Sequence, residues 1–73
     1  MQITGEKRFS VPAHSFAVSP SNSGYTLMYS ANGDGFTAWS EATPANEVLV
    51  VNDIARGLVF YFAGNTDTVE ITY

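Results

Sequence analysis

The sequence predicts an all-β fold: a small antiparallel β-sandwich, immunoglobulin-like or jelly-roll-like, with about six or seven strands and no helix. Three observations predict it. Short apolar runs with a two-residue period recur roughly every 8–12 residues, each bounded by Gly, Pro, Asn, Asp or Ser. No stretch keeps a helical period over two turns. One segment, Gly24 to Trp39, reads on its own as strand, tight loop and strand.

That segment is the point around which the other strands are arranged. Tyr25, Leu27 and Tyr29 alternate with Thr26, Met28 and Ser30, the spacing of a pleated strand. Phe36-Thr37-Ala38-Trp39 resumes the β-rich composition after Ala31-Asn32-Gly33-Asp34-Gly35. The Asn-Gly and Asp-Gly pairs supply the positive φ angles that hairpin loops need.

The remaining elements follow in order. Gln2-Ile3-Thr4 reads as a short strand or a loose arm, interrupted by Gly5. Lys7 to Val11 alternates with Phe9 and Val11 on one face, and Pro12 ends that run because it cannot donate to a ladder. Ala13 to Val18 continues with Phe16 and Val18 inward. Ser19 to Gly24 is a polar loop and Glu41 to Asn46 a second break. Glu47 to Val51 and Leu58 to Phe62 are strands apolar on both faces, joined by Asn52 to Gly57, where Gly57 suits a positive φ. Ala63 to Asp67 turns the chain into Thr68 to Tyr73, which alternates cleanly. The core expected from one face of each strand is Phe9, Val11, Phe16, Val18, Tyr25, Leu27, Tyr29, Val48, Val50, Leu58, Phe60, Phe62, Val69 and Ile71.

Composition bounds the function. Residues 1–73 make a single domain. Apolar residues are 45% of the chain, enough for a core, whereas charged residues are 14%, against roughly 25% in an average soluble domain. A surface of uncharged Ser, Thr, Asn and Gly suits a protein covered in part by partners. With no cysteine, neither a disulfide nor a thiolate zinc site braces the fold. A core of this size supplies only about 3–5 kcal/mol, so oligomerisation or docking on a larger body is expected. The net charge of −4, with Lys7, Arg8 and Arg56 as the only basic side chains, argues against nucleic acid and against anionic membrane surfaces. The opening MQITGEKRFSVPAHSF has no apolar run ahead of a cleavage site, so no secretory signal is expected, and no run approaches a membrane span.

No catalytic constellation stands out. His14 is the lone histidine, between Ala13 and Ser15, with no nucleophile motif to serve. Asn32 and Asp34 are better explained by the turn than by calcium, because the spaced ligands of a calcium loop are missing. The scattered carboxylates form no acid–base pair. We therefore expect no enzyme activity, no cofactor and no metal. Once the core face is assigned, Met28, Leu49, Val51, Val59 and Tyr61 remain on the opposite faces. From these and Trp39 the expected contact surface is Met28, Trp39, Val51, Val59 and Tyr61, with Met1 to Glu6 as a strap. Trp39, Tyr25, Tyr29, Tyr61 and Tyr73 also supply aromatic rings on which a sugar could stack, the alternative being a small carbohydrate-binding module.

Two resemblances bear on these expectations. The run Tyr25-Thr26-Leu27-Met28-Tyr29-Ser30-Ala31-Asn32-Gly33-Asp34-Gly35-Phe36-Thr37, about a fifth of the chain, resembles hairpins of fibronectin type III-like and discoidin-like sandwiches. This implies the fold and no ligand site. The chain as a whole, cysteine-free, low in charge and closing with TPANEVLVV and GLVFYFAGNTDTVEITY, is similar in style to small accessory proteins of tailed bacteriophage virions. That resemblance implies a capsid decoration or head-fibre role: synthesis in the host cytoplasm, residence in the virion, binding to capsid or other virion proteins, and homo-oligomeric, often trimeric, assembly. It carries no individual residue with it.

Overall fold

The computed structural model describes all 73 residues and contains seven strands and no helix. They are β1 (Gln2–Thr4), β2 (Phe16–Val18), β3 (Thr26–Ser30), β4 (Thr37–Ala38), β5 (Leu49–Val51), β6 (Val59–Ala63) and β7 (Thr68–Thr72). Two antiparallel sheets result, a four-stranded one in the order β1-β7-β2-β5 and a three-stranded one in the order β4-β3-β6. The all-β sandwich expected from the two-residue periodicity is the fold observed.

Cross-strand partners project to the same side of a sheet, so the register dictates the core. In the larger sheet Ile3 pairs with Val69, Ile71 with Val18, and Phe16 with Val51. In the smaller sheet Leu27 pairs with Phe62 and Tyr29 with Phe60. Most of these side chains meet between the sheets, where Phe60 and Phe62 lose all solvent exposure. Phe9 joins them: its ring centre lies 5.9 Å from Phe16, 5.6 Å from Phe60 and 5.0 Å from Phe62. Phe16 in turn meets Phe60 edge-on at 5.2 Å, so aromatic contacts bridge the two layers directly. Pairs of this kind add about 0.5–1.5 kcal/mol each beyond the area they bury.

Several sequence expectations are corrected. The run around Phe9 is no full strand: Phe9 alone bridges to Phe60, through Phe9 N–H to Phe60 O at 2.9 Å and the reciprocal bond at 2.8 Å. Val48 and Val50, expected inside, are 60% and 61% exposed, while Val51, expected on the outer face, is 1% exposed. The cause is that Val-Leu-Val-Val has no polar residue to mark its outer side, so the phase of the period is undefined locally. Asn46 and Asp53, both with left-handed φ (66° and 58°), end the run on either side. Ile3 and Ile54 belong to the core, and Tyr29 and Leu58 only pack against it. Of the two readings of Gln2-Ile3-Thr4, the strand is the one observed: β1 pairs with β7 and buries Ile3, so the Met1 to Glu6 segment is anchored through the sheet and is not a loose strap.

One glycine is demanded by geometry. Gly24 has φ +67°, and a Cβ there would stand 2.9 Å from Thr43 O and 3.0 Å from Ala45 N. The close approach lets Tyr25 and Thr43 exchange backbone bonds, Tyr25 N–H to Thr43 O at 3.0 Å and Thr43 N–H to Tyr25 O at 2.6 Å. These bonds bring the 43–46 segment onto the start of β3.

Candidate functional site

The outer face of the three-stranded sheet gathers the residues with the most interesting chemistry. Met28 stands between Ala38 on β4 and Tyr61 on β6. Ser30 stands beside Val59, and Thr26 beside Ala63. Met28, Val59 and Tyr61 are each half-buried, neither core nor freely solvated. The sequence makes this face apolar because β6 reads Val-Phe-Tyr-Phe-Ala, with no polar side chain on either side except the Tyr61 hydroxyl.

Two further residues complete the face. Phe36, just ahead of β4, meets Tyr61 edge-on, with ring centres 4.8 Å apart and planes at 78°. The Arg8 guanidinium lies 4.8 Å above the Phe36 ring and donates to Gly33 O at 3.1 Å. Phe9 positions Arg8: its pairing with Phe60 turns Phe9 inward and leaves its chain neighbours to the outer side. An exposed cation over an aromatic ring contributes about 0.5–1 kcal/mol. Here it also fixes the Phe36 ring against the hairpin loop.

The loop is closed by its own side chains. Ser30 Oγ accepts from Gly33 N–H at 3.0 Å and from Asn32 N–H at 3.3 Å, and donates to Asp34 O. Asn32 Oδ1 accepts from Asp34 N–H at 3.0 Å. Ser30 is 4% exposed, and its hydroxyl meets this polar demand from within the sheet. The turn-forming reading of Asn32 is thus the geometry seen.

Of the five side chains expected at a contact surface, the structure brings Met28, Val59 and Tyr61 together and separates the other two. Val51 belongs to the core, opposite Phe16. Trp39 lies on the inner side: its backbone N–H donates to Leu27 O at 2.8 Å, and its ring meets Tyr29 at 5.1 Å and Phe60 at 6.3 Å. It closes the open side of the core beyond β4. Phe36 and Arg8 escape a reading of the sequence because their roles depend on the Phe9–Phe60 bridge, which joins segments 51 residues apart. The adjacent Lys7-Arg8 pair was visible, but nothing local assigns Arg8 to an aromatic ring.

Tyr25 and His14 are committed elsewhere, and Tyr73 lies apart. Tyr25 is 5% exposed and packs on Phe62 at 4.6 Å. Burial pushes its phenol above the ordinary value; the Thr43 side chain offsets part of this, although no hydrogen bond of ordinary geometry forms. Tyr73 is 57% exposed and stands apart from the other rings. His14 Nδ1 lies 2.8 Å from Ile54 O, and Ile54 N–H donates to His14 O at 3.0 Å, so His14 ties the 52–57 connection to the start of β2. Comparisons of the chain with protein-family models, with curated proteins and with solved structures find no match.

Proposed function

We propose that this chain is a structural interaction protein without catalytic activity, a virion accessory domain of the capsid-decoration type that docks on a larger protein assembly. The observation that carries the reading is the outer face of β3 and β6, where Met28 stands beside Tyr61, Val59 shares their side of the sheet, and Phe36 packs on the Tyr61 ring. An outward sheet face of this kind marks a contact surface more often than a catalytic one. Low charge and small size support the same reading. The phage-like style of the sequence supplies the class of partner, capsid or other virion proteins.

The test is co-sedimentation of the purified domain with intact capsid shells. Saturable binding is expected, weakened at least tenfold by Tyr61→Lys or Met28→Lys, the scale of a central contact residue. Binding unchanged in both variants would remove this face from the proposal. No binding to shells at any concentration would remove the capsid partner.

The carbohydrate-binding alternative keeps one favourable observation, a half-exposed Tyr61 ring with Arg8 nearby through Phe36. It loses Trp39, which is turned to the core, and Phe36 and Tyr61 meet edge-on and so form no shared flat platform. Saturable glycan binding that disappears in Tyr61→Ala would nevertheless replace docking as the function of this face.

A further inference from the structure

We propose that β5 is a self-pairing edge, by which two copies of this chain join antiparallel about Leu49 and merge their larger sheets into one. This surface is on the other sheet from the Met28–Tyr61 face and is independent of the docking reading.

The strand edges of the molecule are unequal. The free side of β6 is occupied by Phe9, and β4 has only two residues. The β1 edge is flanked by the polar, exposed Gln2 and Thr4, with the Met1 amino group on Glu70. Only β5 presents an unguarded edge. Natural sheets protect edges with charge, proline or a bulge; Val48-Leu49-Val50-Val51 has no charge and no proline, and its residues 49–51 pair with β2 in unbroken register. Of the four large hydrophobic side chains with high exposure, Val50 is on this edge and Val48 immediately precedes it.

A second copy fits the edge because the run is self-complementary. With Leu49 on the two-fold axis, Val48 lies opposite the partner's Val50, and Val50 opposite the partner's Val48. Ala17, the β2 neighbour of Val50, extends that apolar strip inward on each side. On the other face the half-buried Leu49 meets its own symmetry mate, prolonging the core across the seam. This is an isologous contact, in which one patch serves both subunits.

Charge selects the register. Each copy carries −4, so two copies repel one another in general and pair most readily along a seam where neither presents charge. About Leu49, the two Glu47 side chains lie at opposite ends of the seam, about 13 Å apart at 3.3 Å per residue. That exceeds the ~8 Å screening length at physiological salt. Centring on Val50 instead would set Glu47 against the partner's Asp53, a like-charge pair. A seam of four residues per chain falls well short of the ~1,200 Å² of a stable complex, so the pairing is reversible and governed by concentration. A pair would leave both Met28–Tyr61 faces free, which would give a docked dimer two points of attachment.

The experiment is sedimentation equilibrium of the whole chain, from about 10 μM to about 1 mM, where a small interface associates. The weight-average mass is expected to rise from 7.9 kDa toward twice that value. Val50→Lys should hold it at the monomer throughout while leaving the melting curve unchanged, since Val50 is exposed. Val48→Lys, at the facing position, should do the same and serves if Val50→Lys folds poorly. A monomer at every concentration overturns the proposal. So does association that survives both lysine variants, or that is abolished by Tyr61→Lys and not by them. Shell binding retained in Val50→Lys leaves the docking reading standing whatever the mass shows.

Discussion

Asn65 holds three loops with one side chain. It is 3% exposed. Its Oδ1 accepts from Ser21 Oγ at 2.7 Å and Asp67 N–H at 3.2 Å, while its Nδ2 donates to Gly5 O and Asp67 O, each at 2.9 Å. In the sequence Asn65 looks like an ordinary turn former between Gly64 and Thr66; its partners Gly5 and Ser21 are 60 and 44 positions away, beyond any local signal. Asp67 continues the arrangement, its carboxylate accepting from Asn22 N–H at 3.0 Å and Thr68 N–H at 2.8 Å. The Asn22 and Thr68 amides hold its pKa below the ordinary 3.8, because they bond the charged form. A carboxyl whose pKa falls on folding stabilises the native state above the unfolded value. That contribution is lost as pH drops through the lower, folded value. Asp67→Asn is therefore expected to lower the urea midpoint at pH 7, with the gap to the parent protein closing below about pH 3.8, the ordinary value. A gap of constant size across that range would show that the charge is not what holds these amides.

Among the elements, β7 and β5 mark the two extremes of what a strand sequence reveals. Thr68-Val69-Glu70-Ile71-Thr72 alternates polar and apolar, and its burial follows that alternation residue by residue. β6 is polar only at the Tyr61 hydroxyl, yet its phase is legible, because the two wholly apolar aromatic rings, Phe60 and Phe62, share one face and Tyr61 takes the other. In β5 the side chains are near-equal in size and all apolar, so neither polarity nor volume sets the phase; pairing with Phe16 and Val18 does. The same ambiguity misplaced Val51 in the expected contact surface. The register has a sharp consequence. Val51→Asp puts a carboxylate opposite Phe16 in the core and is expected to cost several kcal/mol, enough to abolish the cooperative melt. Val50→Asp, one residue away and outward, should shift stability by no more than about 0.5–1 kcal/mol. Thermal melts by circular dichroism of the two variants decide it; the reverse ranking would move the strand by one residue.

At the scale of the molecule, topology explains both what was legible and what was not. Period and turn chemistry are local, so the all-β class and the β3–β4 hairpin could be read from the chain. Sheet order is not local: of the five strand pairings only β3–β4 joins consecutive strands, and β1 pairs with β7 across almost the whole sequence. The outer face inherits this difficulty, because Arg8 reaches Phe36 only after Phe9 has docked on β6. The same connectivity makes the first residues a closing element. Ile3 is 3% exposed against Val69, Gly5 N–H donates to Asp67 O at 2.9 Å, and the Glu6 carboxylate accepts from Gly64 N–H at 2.7 Å. Burial of Ile3 alone contributes about 1.5–3 kcal/mol, against a total of about 3–5 kcal/mol for a domain of this size without a disulfide or metal. Removing residues 1–6 also strips the β1 ladder from β7 and opens the Asn65 cluster. The truncated chain is therefore expected to be largely unfolded at 25 °C, with collapsed dispersion in its amide NMR spectrum and no cooperative melt. A truncated chain that melts cooperatively would make Met1 to Glu6 an accessory arm, free to reach a partner after all, and would return it to the contact surface.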